Sequence, residues 1–219
     1  MAATALKTKS SMKSTSEVVV VQPPNILNLQ IAIQGTAPYV QHRFSTKTQN
    51  EMLQKHIAGG KAKNKKTTAA RDIEAEYKAA LHLTSDGKHG IPAPAFRSAM
   101  ISACRLVGFH MTRAKISVFI PATEFCVDDG TPLIPIEGKP EMNKSHVRLE
   151  TGVPSISIRP MWREWSCTVP VSYDGDQFSA ADVINLMARA GLQVGIGEGR
   201  PDSKKSNGMG WGTFRVVDQ

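Results

Sequence analysis

No apolar run in this chain approaches the roughly 20 residues needed to cross a bilayer, so no membrane partner is expected. Cysteine is scarce. Cys104, Cys126 and Cys167 stand far apart, with no C-x-x-C pair and no Cys/His cluster at zinc spacing, and neither a metal nor a cofactor is expected. An odd cysteine count without a secretory signal points to a reducing cytosol and a cytoplasmic protein. Residues 1–17 hold Lys7, Lys9 and Lys13 among Ala, Ser and Thr but lack the apolar segment of a signal peptide. They read as a flexible basic arm able to touch nucleic acid or a neighbouring subunit, or more plainly as a disordered tail. The chain also lacks G-x-x-x-x-G-K-[ST], a Ser/His/Asp order, a paired-carboxylate signature and a defensible internal repeat.

What the chain does have is positive charge. It carries 27 Lys and Arg against 19 Asp and Glu, a net charge of +8 over 219 residues. Such a surplus favours a polyanionic partner, because cations placed on phosphates release condensed counterions. Hydrophobic residues make up 41%, enough for one good core or two small ones.

Glycine is concentrated near the C-terminus. Gly195-Ile196-Gly197-Glu198-Gly199-Arg200-Pro201 is followed by a basic run holding Lys204 and Lys205, then by Gly208-Met209-Gly210-Trp211-Gly212. Glycine admits φ > 0 and close backbone approach, and amides exposed in this way form anion-binding concavities. The segment therefore reads as a phosphate-holding loop built on Gly195, Gly197, Gly199, Arg200, Lys204 and Lys205, with a Gly197→Val change expected to block binding even if the fold survives. The plainer reading is a hairpin connection whose glycines serve turns. A second basic loop, residues 59–71, carries Lys61, Lys63, Lys65 and Lys66 and reads either as a flexible electrostatic hand or as a solvated loop.

The remaining pattern is mixed. Leu29, Ile31 and Ile33 alternate with polar residues, predicting a strand over 27–35. Ser45 is a candidate N-cap for a helix to about residue 57, and a second helix begins near Asp72. Phe96, Met100, Cys104 and Val107 recur at helical spacing over 95–107, closed by Gly108. Ile116, Val118 and Ile120 alternate and predict a strand, residues 121–154 an irregular insertion, and 155–160 and 165–173 further strands. Ser179 with Asp182 predicts a capping box for a helix ending at Gly191, before a final strand over 212–217. This order suits an α+β protein: a ferredoxin-like or RRM-like single domain over 18–219, with insertions and a C-terminal glycine-rich loop.

Three segments carry a resemblance to the CRISPR RAMP superfamily. The glycine-rich segment between a helix and the last strand looks like that family's G-rich loop. Gly90-Ile91-Pro92-Ala93-Pro94-Ala95-Phe96-Arg97 resembles the Ile-Pro helix opening of its guide-binding backbone subunits, although Pro94-Ala95 replaces the usual small polar pair. The strand pair over 156–171 with the Ser179 helix matches their C-terminal order. The likeness covers about the last 130 residues, and a diverged phage or plasmid relative fits equally well.

The resemblance implies a protein of antiviral defence that coats single-stranded nucleic acid, RNA favoured over DNA. Copies would stack head to tail as a helical filament, alongside other CRISPR-like subunits. Phosphate contacts are expected from Arg43, Lys61, Lys63, Lys65, Lys66, Arg97, Arg200, Lys204 and Lys205, and base stacking from aromatics such as Tyr39, Phe44, Trp162 and Trp211. Trp165 reads as core. No enzyme activity is expected. The alternatives are a metal-independent RAMP-type endoribonuclease with His42 as general base and a non-catalytic phage structural or assembly protein. Asp128-Asp129 is either an acidic loop for metal-assisted cleavage, as in some backbone subunits, or simply an Asp-Asp-Gly turn.

Overall fold

The computed structural model describes residues 21–43, 50, 53–54, 56–57, 72–122, 124–148, 154–203 and 209–217. The protein is α+β, with antiparallel sheets and helices drawn from the whole described length. The main sheet joins β1 (Ile26–Gly35), β4 (Val118–Phe119), β9 (Ser166–Asp174) and β10 (Phe214–Val216) in the order β10-β1-β9-β4. Each neighbouring pair is antiparallel. The ladder between β1 and β9 runs from Ile26↔Asp174 to Gln34↔Ser166. Its register follows from side-chain alternation. Ile31 faces Val169 and Ile33 faces Cys167 on the buried side, while Gln30, Gln34 and Thr168 are exposed on the other. A one-residue slip would turn both apolar rows to water.

Helices cover the apolar face. α2 (Ala93–Ala103) buries Phe96, Ala99 and Met100, and α4 (Ala180–Arg189) buries Val183, Leu186 and Met187. α2 starts well because Pro94 occupies the first turn, where a missing N–H costs nothing. α4 carries the expected capping box: the Ser179 side chain accepts from the Asp182 amide, and the Asp182 carboxylate accepts from the Ser179 amide. Asp72 likewise caps the short α1 (Ile73–Ala79). One hydrophobic cluster gathers Ile31, Phe96, Met100, Trp162, Trp165, Val169, Met187 and Phe214. Phe214 lies edge-on to both Phe96 and Trp165, with centroids 6.0 Å away in each case.

Two smaller sheets flank this core. β2 (Tyr39–Val40), β8 (Pro154–Trp162) and β7 (Pro140–Arg148) form one, and β3 (Gly90–Pro92), β6 (Pro132–Pro135) and β5 (Glu124–Phe125) the other. The stretch 121–154 is thus more regular than expected, since β7 pairs with β8 from Pro140↔Trp162 to Arg148↔Pro154.

Two local expectations are corrected. Residues 116–117 belong to a helix, α3 (Met111–Ser117), and only Val118–Phe119 is strand. The alternation at Ile116 misled because Ile116 is 72% exposed, while Ala114 and Ser117 face the core. A distant side chain stabilises the helix end: Arg97 donates from Nε to Val118 O at 2.9 Å and from Nη2 to Lys115 O, satisfying carbonyls that a helix C-terminus leaves open. Nor does the helical path stop at Gly191. The chain continues through a π turn (Ala190–Val194) and stops at Gly195, with φ +70°. A Cβ on Gly191 would lie 2.2 Å from Phe214 O, so this glycine permits close packing of helix on strand.

Phe214 is the seam between the last strand and both helices. Phe214→Ala is expected to cost about 3–5 kcal/mol, measured by urea unfolding, with Phe214→Leu costing clearly less.

Candidate nucleic-acid interface

A cleft of about 620 Å³ opens between α2 and the glycine-rich loop. Its walls include Pro94, Ala95, Arg97 and Ser98 from the helix opening, Lys115 from α3, and Gly195, Ile196, Gly197 and Arg200 from the loop. Two segments about a hundred residues apart, each singled out in the sequence, thus share one concave surface. Arg97 donates to backbone carbonyls and packs over the Phe119 ring, 5.6 Å from its centroid. Arg200 donates from Nη1 to Gly197 O at 3.1 Å. Carbonyl partners orient a guanidinium without cancelling its charge. Arg105 differs, because its Nη2 lies 2.7 Å from Asp202 Oδ2, a carboxylate that also lines the cleft near Arg200. Lys115 does not stand out in the sequence; its place in the cleft depends on α3 forming beside the loop.

The Ser102 hydroxyl donates to Asp202 and, with Arg105 and Arg200 beside it, holds this carboxyl below the usual range against partial burial. A depressed folded-state value means that the stabilisation is present above the ordinary carboxylate range and is lost as pH falls through it and through the folded value. Thermal midpoints from about pH 7 down to about pH 3 should fall less steeply for Asp202→Asn than for the natural chain.

The glycine loop is anchored on its own protein. The Gly195 amide donates to Ala190 O at 2.8 Å, Ile196 to Gly212 O at 3.0 Å, Glu198 to Val40 O at 2.9 Å and Gly212 to Pro38 O at 2.7 Å. These amides are therefore not open to an anion. Gly197 has φ +78°, and a Cβ there would lie 2.5 Å from Val40 O and 2.7 Å from the Tyr39 ring. A Cβ on Gly199 would meet the Trp211 ring at 2.7 Å, and one on Gly195 would meet Pro201 at 2.9 Å. The close approach that these three glycines permit is to the chain itself. Gly197→Val should lose about 2–5 kcal/mol of stability through positive-φ strain and backbone overlap. Thermal melts and binding assays on the same sample should then show binding following the folded fraction.

Arg43 is also corrected as a phosphate contact. Its side chain is 4% exposed, with Nη1 2.8 Å from Asp128 Oδ2 and Nη2 3.1 Å from Asp129 Oδ2. Nη1 also donates to Leu81 O at 2.9 Å. The Asp-Asp-Gly sequence does form a turn, closed by Gly130 N donating to Cys126 O at 2.9 Å, and its carboxylates serve Arg43. Tyr39, Trp162 and Trp165 are buried and unavailable for base stacking, whereas Trp211 is half-buried. Lys61, Lys63, Lys65, Lys66, Lys204, Lys205, Phe44 and the arm over 1–17 lie outside the described residues.

His42 stands beside the loop. Its Nδ1 is 3.9 Å from Glu198 Oε2, which accepts from Arg159 Nε at 2.9 Å. Burial and the Arg159 charge hold His42 below the usual histidine range, against the opposing pull of Glu198. The shift favours the neutral imidazole, the form a general base requires.

One group escaped the sequence reading entirely. His82, Cys126 and Asp129 offer an imidazole nitrogen, Sγ and a carboxylate oxygen within 4.8 Å of one another. Burial and the Arg43 charge push His82 down to about 4, with Asp129 and Asp128 opposing. Burial would raise Asp129, but hydrogen bonds from Thr131 and Cys126 and the charge on Arg43 outweigh it and hold the carboxyl at about 2. The spacing 82, 126, 129 matches no metal-ligand pattern, and folding alone brings these groups together.

No protein-family model matches the chain, and no curated protein matches it. Among the described residues, no helix is long and apolar enough to cross a membrane.

Proposed function

We propose that this protein binds single-stranded nucleic acid, RNA in preference to DNA, through its phosphates, and assembles head to tail along the strand. The observation that carries this reading is the convergence of Arg97, Lys115 and Arg200 on the cleft between α2 and the glycine-rich loop. Three cations against one carboxylate, Asp202, on one concave face suit a phosphodiester backbone read without regard to base. The net charge of +8 agrees with such a partner. The lysines of the 59–71 loop and Lys204 and Lys205 are the further contacts this reading invokes.

The finer fold and family also enter as part of the proposal. The order β10-β1-β9-β4, all antiparallel, with helices in the β1-to-β4 and β9-to-β10 crossovers, supports a ferredoxin-like plan. That plan and the shared cleft of the Ile-Pro helix opening and glycine loop support a RAMP-like subunit, with one domain spanning 18–219. A second reading has one specific observation in its favour. His42 lies beside Glu198 and Arg159, and the shift of its imidazole toward the neutral form supports a general base in a metal-independent endoribonuclease.

Titration of labelled single strands of increasing length against salt tests the proposal. The logarithm of the observed affinity should fall linearly with the logarithm of salt concentration. Arg97→Ala, Lys115→Ala and Arg200→Ala should each lower the slope by about one and weaken all sequences alike. Long strands should bind cooperatively and sediment as extended assemblies. No binding at low salt, as an assembly protein would show, or slopes unchanged in all three variants, would remove the proposal. Strand cleavage abolished by His42→Ala would move the assignment to the nuclease.

A further inference from the structure

The group formed by His82, Cys126 and Asp129 lies away from the cleft, and the proposed strand binding makes no use of it. We propose that these three residues form a zinc site. Their donor set mixes one nitrogen, one sulfur and one oxygen, the combination that suits a borderline-soft ion with tetrahedral preference.

The position is built rather than accidental. His82 and Cys126 are 5% and 3% exposed. Val127 N donates to Leu83 O at 3.0 Å and pins the two segments that carry them together, and Cys126 N donates to Thr131 O at 2.8 Å within its own turn. Asp129 is oriented by the Thr131 amide, which donates to its Oδ1 at 3.0 Å. An independent observation points to a ligand: Nδ1 of His82 is buried with no hydrogen-bond partner. An unpaired buried polar atom is costly, and a metal bound at Nδ1 would satisfy it.

The charges also balance. Asp128, Asp129 and a Cys126 thiolate supply three negative charges; Arg43 and Zn²⁺ supply three positive ones. On binding, the Cys126 thiol releases its proton to solvent. Asp129 exchanges the Arg43 guanidinium for the metal, while Arg43 keeps Asp128 and Leu81 O. The donor atoms, now up to 4.8 Å apart, draw in to about 3.4–3.8 Å. Asp129 is 23% exposed at its side chain, and this edge would give the metal its entry path and admit water as fourth ligand.

The test uses the full chain, stripped with chelator, kept reduced and titrated with Co²⁺ and then Zn²⁺ in the absence of nucleic acid. One equivalent of Co²⁺ should give the visible bands of tetrahedral cobalt and a thiolate-to-cobalt charge-transfer band, and Zn²⁺ should displace both. Cys126→Ser should abolish the charge-transfer band. Zn²⁺ affinity should fall at least tenfold in Cys126→Ser, His82→Asn and Asp129→Asn. Zn²⁺ should also raise the thermal midpoint of the natural chain but not of Cys126→Ser. Circular dichroism of the metal-free variants checks folding, and Cys126→Ser, which changes one buried atom, carries the test if His82→Asn fails to fold. Absence of the charge-transfer band from the natural chain, or its persistence in folded Cys126→Ser, overturns the proposal.

Discussion

The pairing of β1 with β9 is the constraint on which the rest of the molecule depends. It joins Ile26–Gly35 to Ser166–Asp174 across most of the chain, so its loop-closure entropy is met only by long-range burial. Once it forms, Ile31, Ile33, Val169 and Val171 present a continuous apolar face, and α2 and α4 have a surface to cover. β10 then adds to the free edge of β1, and β4 to that of β9. The cleft follows from this arrangement. α2 and the loop after α4 meet at one end of the layer because both helices pack on the same sheet face.

The glycine-rich loop shows how composition can mark a segment without giving the physical reason for it. Its glycines are needed because the loop lies against Val40, Tyr39, Trp211 and Pro201, with several amides already donating inward. Its proposed contribution to ligand binding comes from what it carries and faces, above all Arg200 opposite Arg97 and Lys115. A rigid loop suits that task better than a mobile one, since cations held in place lose less entropy on meeting a phosphate.

Arg43 illustrates a different limit. A basic residue after the first strand of a basic protein reads naturally as a phosphate contact. In the fold it is almost fully buried, because Asp128 and Asp129 turn back on it and Leu81 offers a carbonyl. Removing one partner of such a cluster leaves buried charge uncompensated. The same turn brings Asp129 to Cys126 and His82, so one short segment serves both an ion pair and a donor set.

Elements governed by local chemistry were legible in the residues themselves. The alternation of Leu29, Ile31 and Ile33 specifies a half-buried strand, Ser179 with Asp182 specifies a helix start, and Gly108 an αL stop, because each depends on neighbours within a few residues. The cleft was half legible: Arg97, Arg200 and the glycine loop stood out, whereas Lys115 did not. Tertiary structure alone decided the rest. It made residues 116–117 helical through the Arg97 cap, carried the helical path past Gly191 in a π turn, drew Arg43 inward and gathered His82, Cys126 and Asp129. Each of these outcomes rests on contacts between residues far apart in the chain. Their energy exists only once the sheet has brought those residues together, so no local pattern records them.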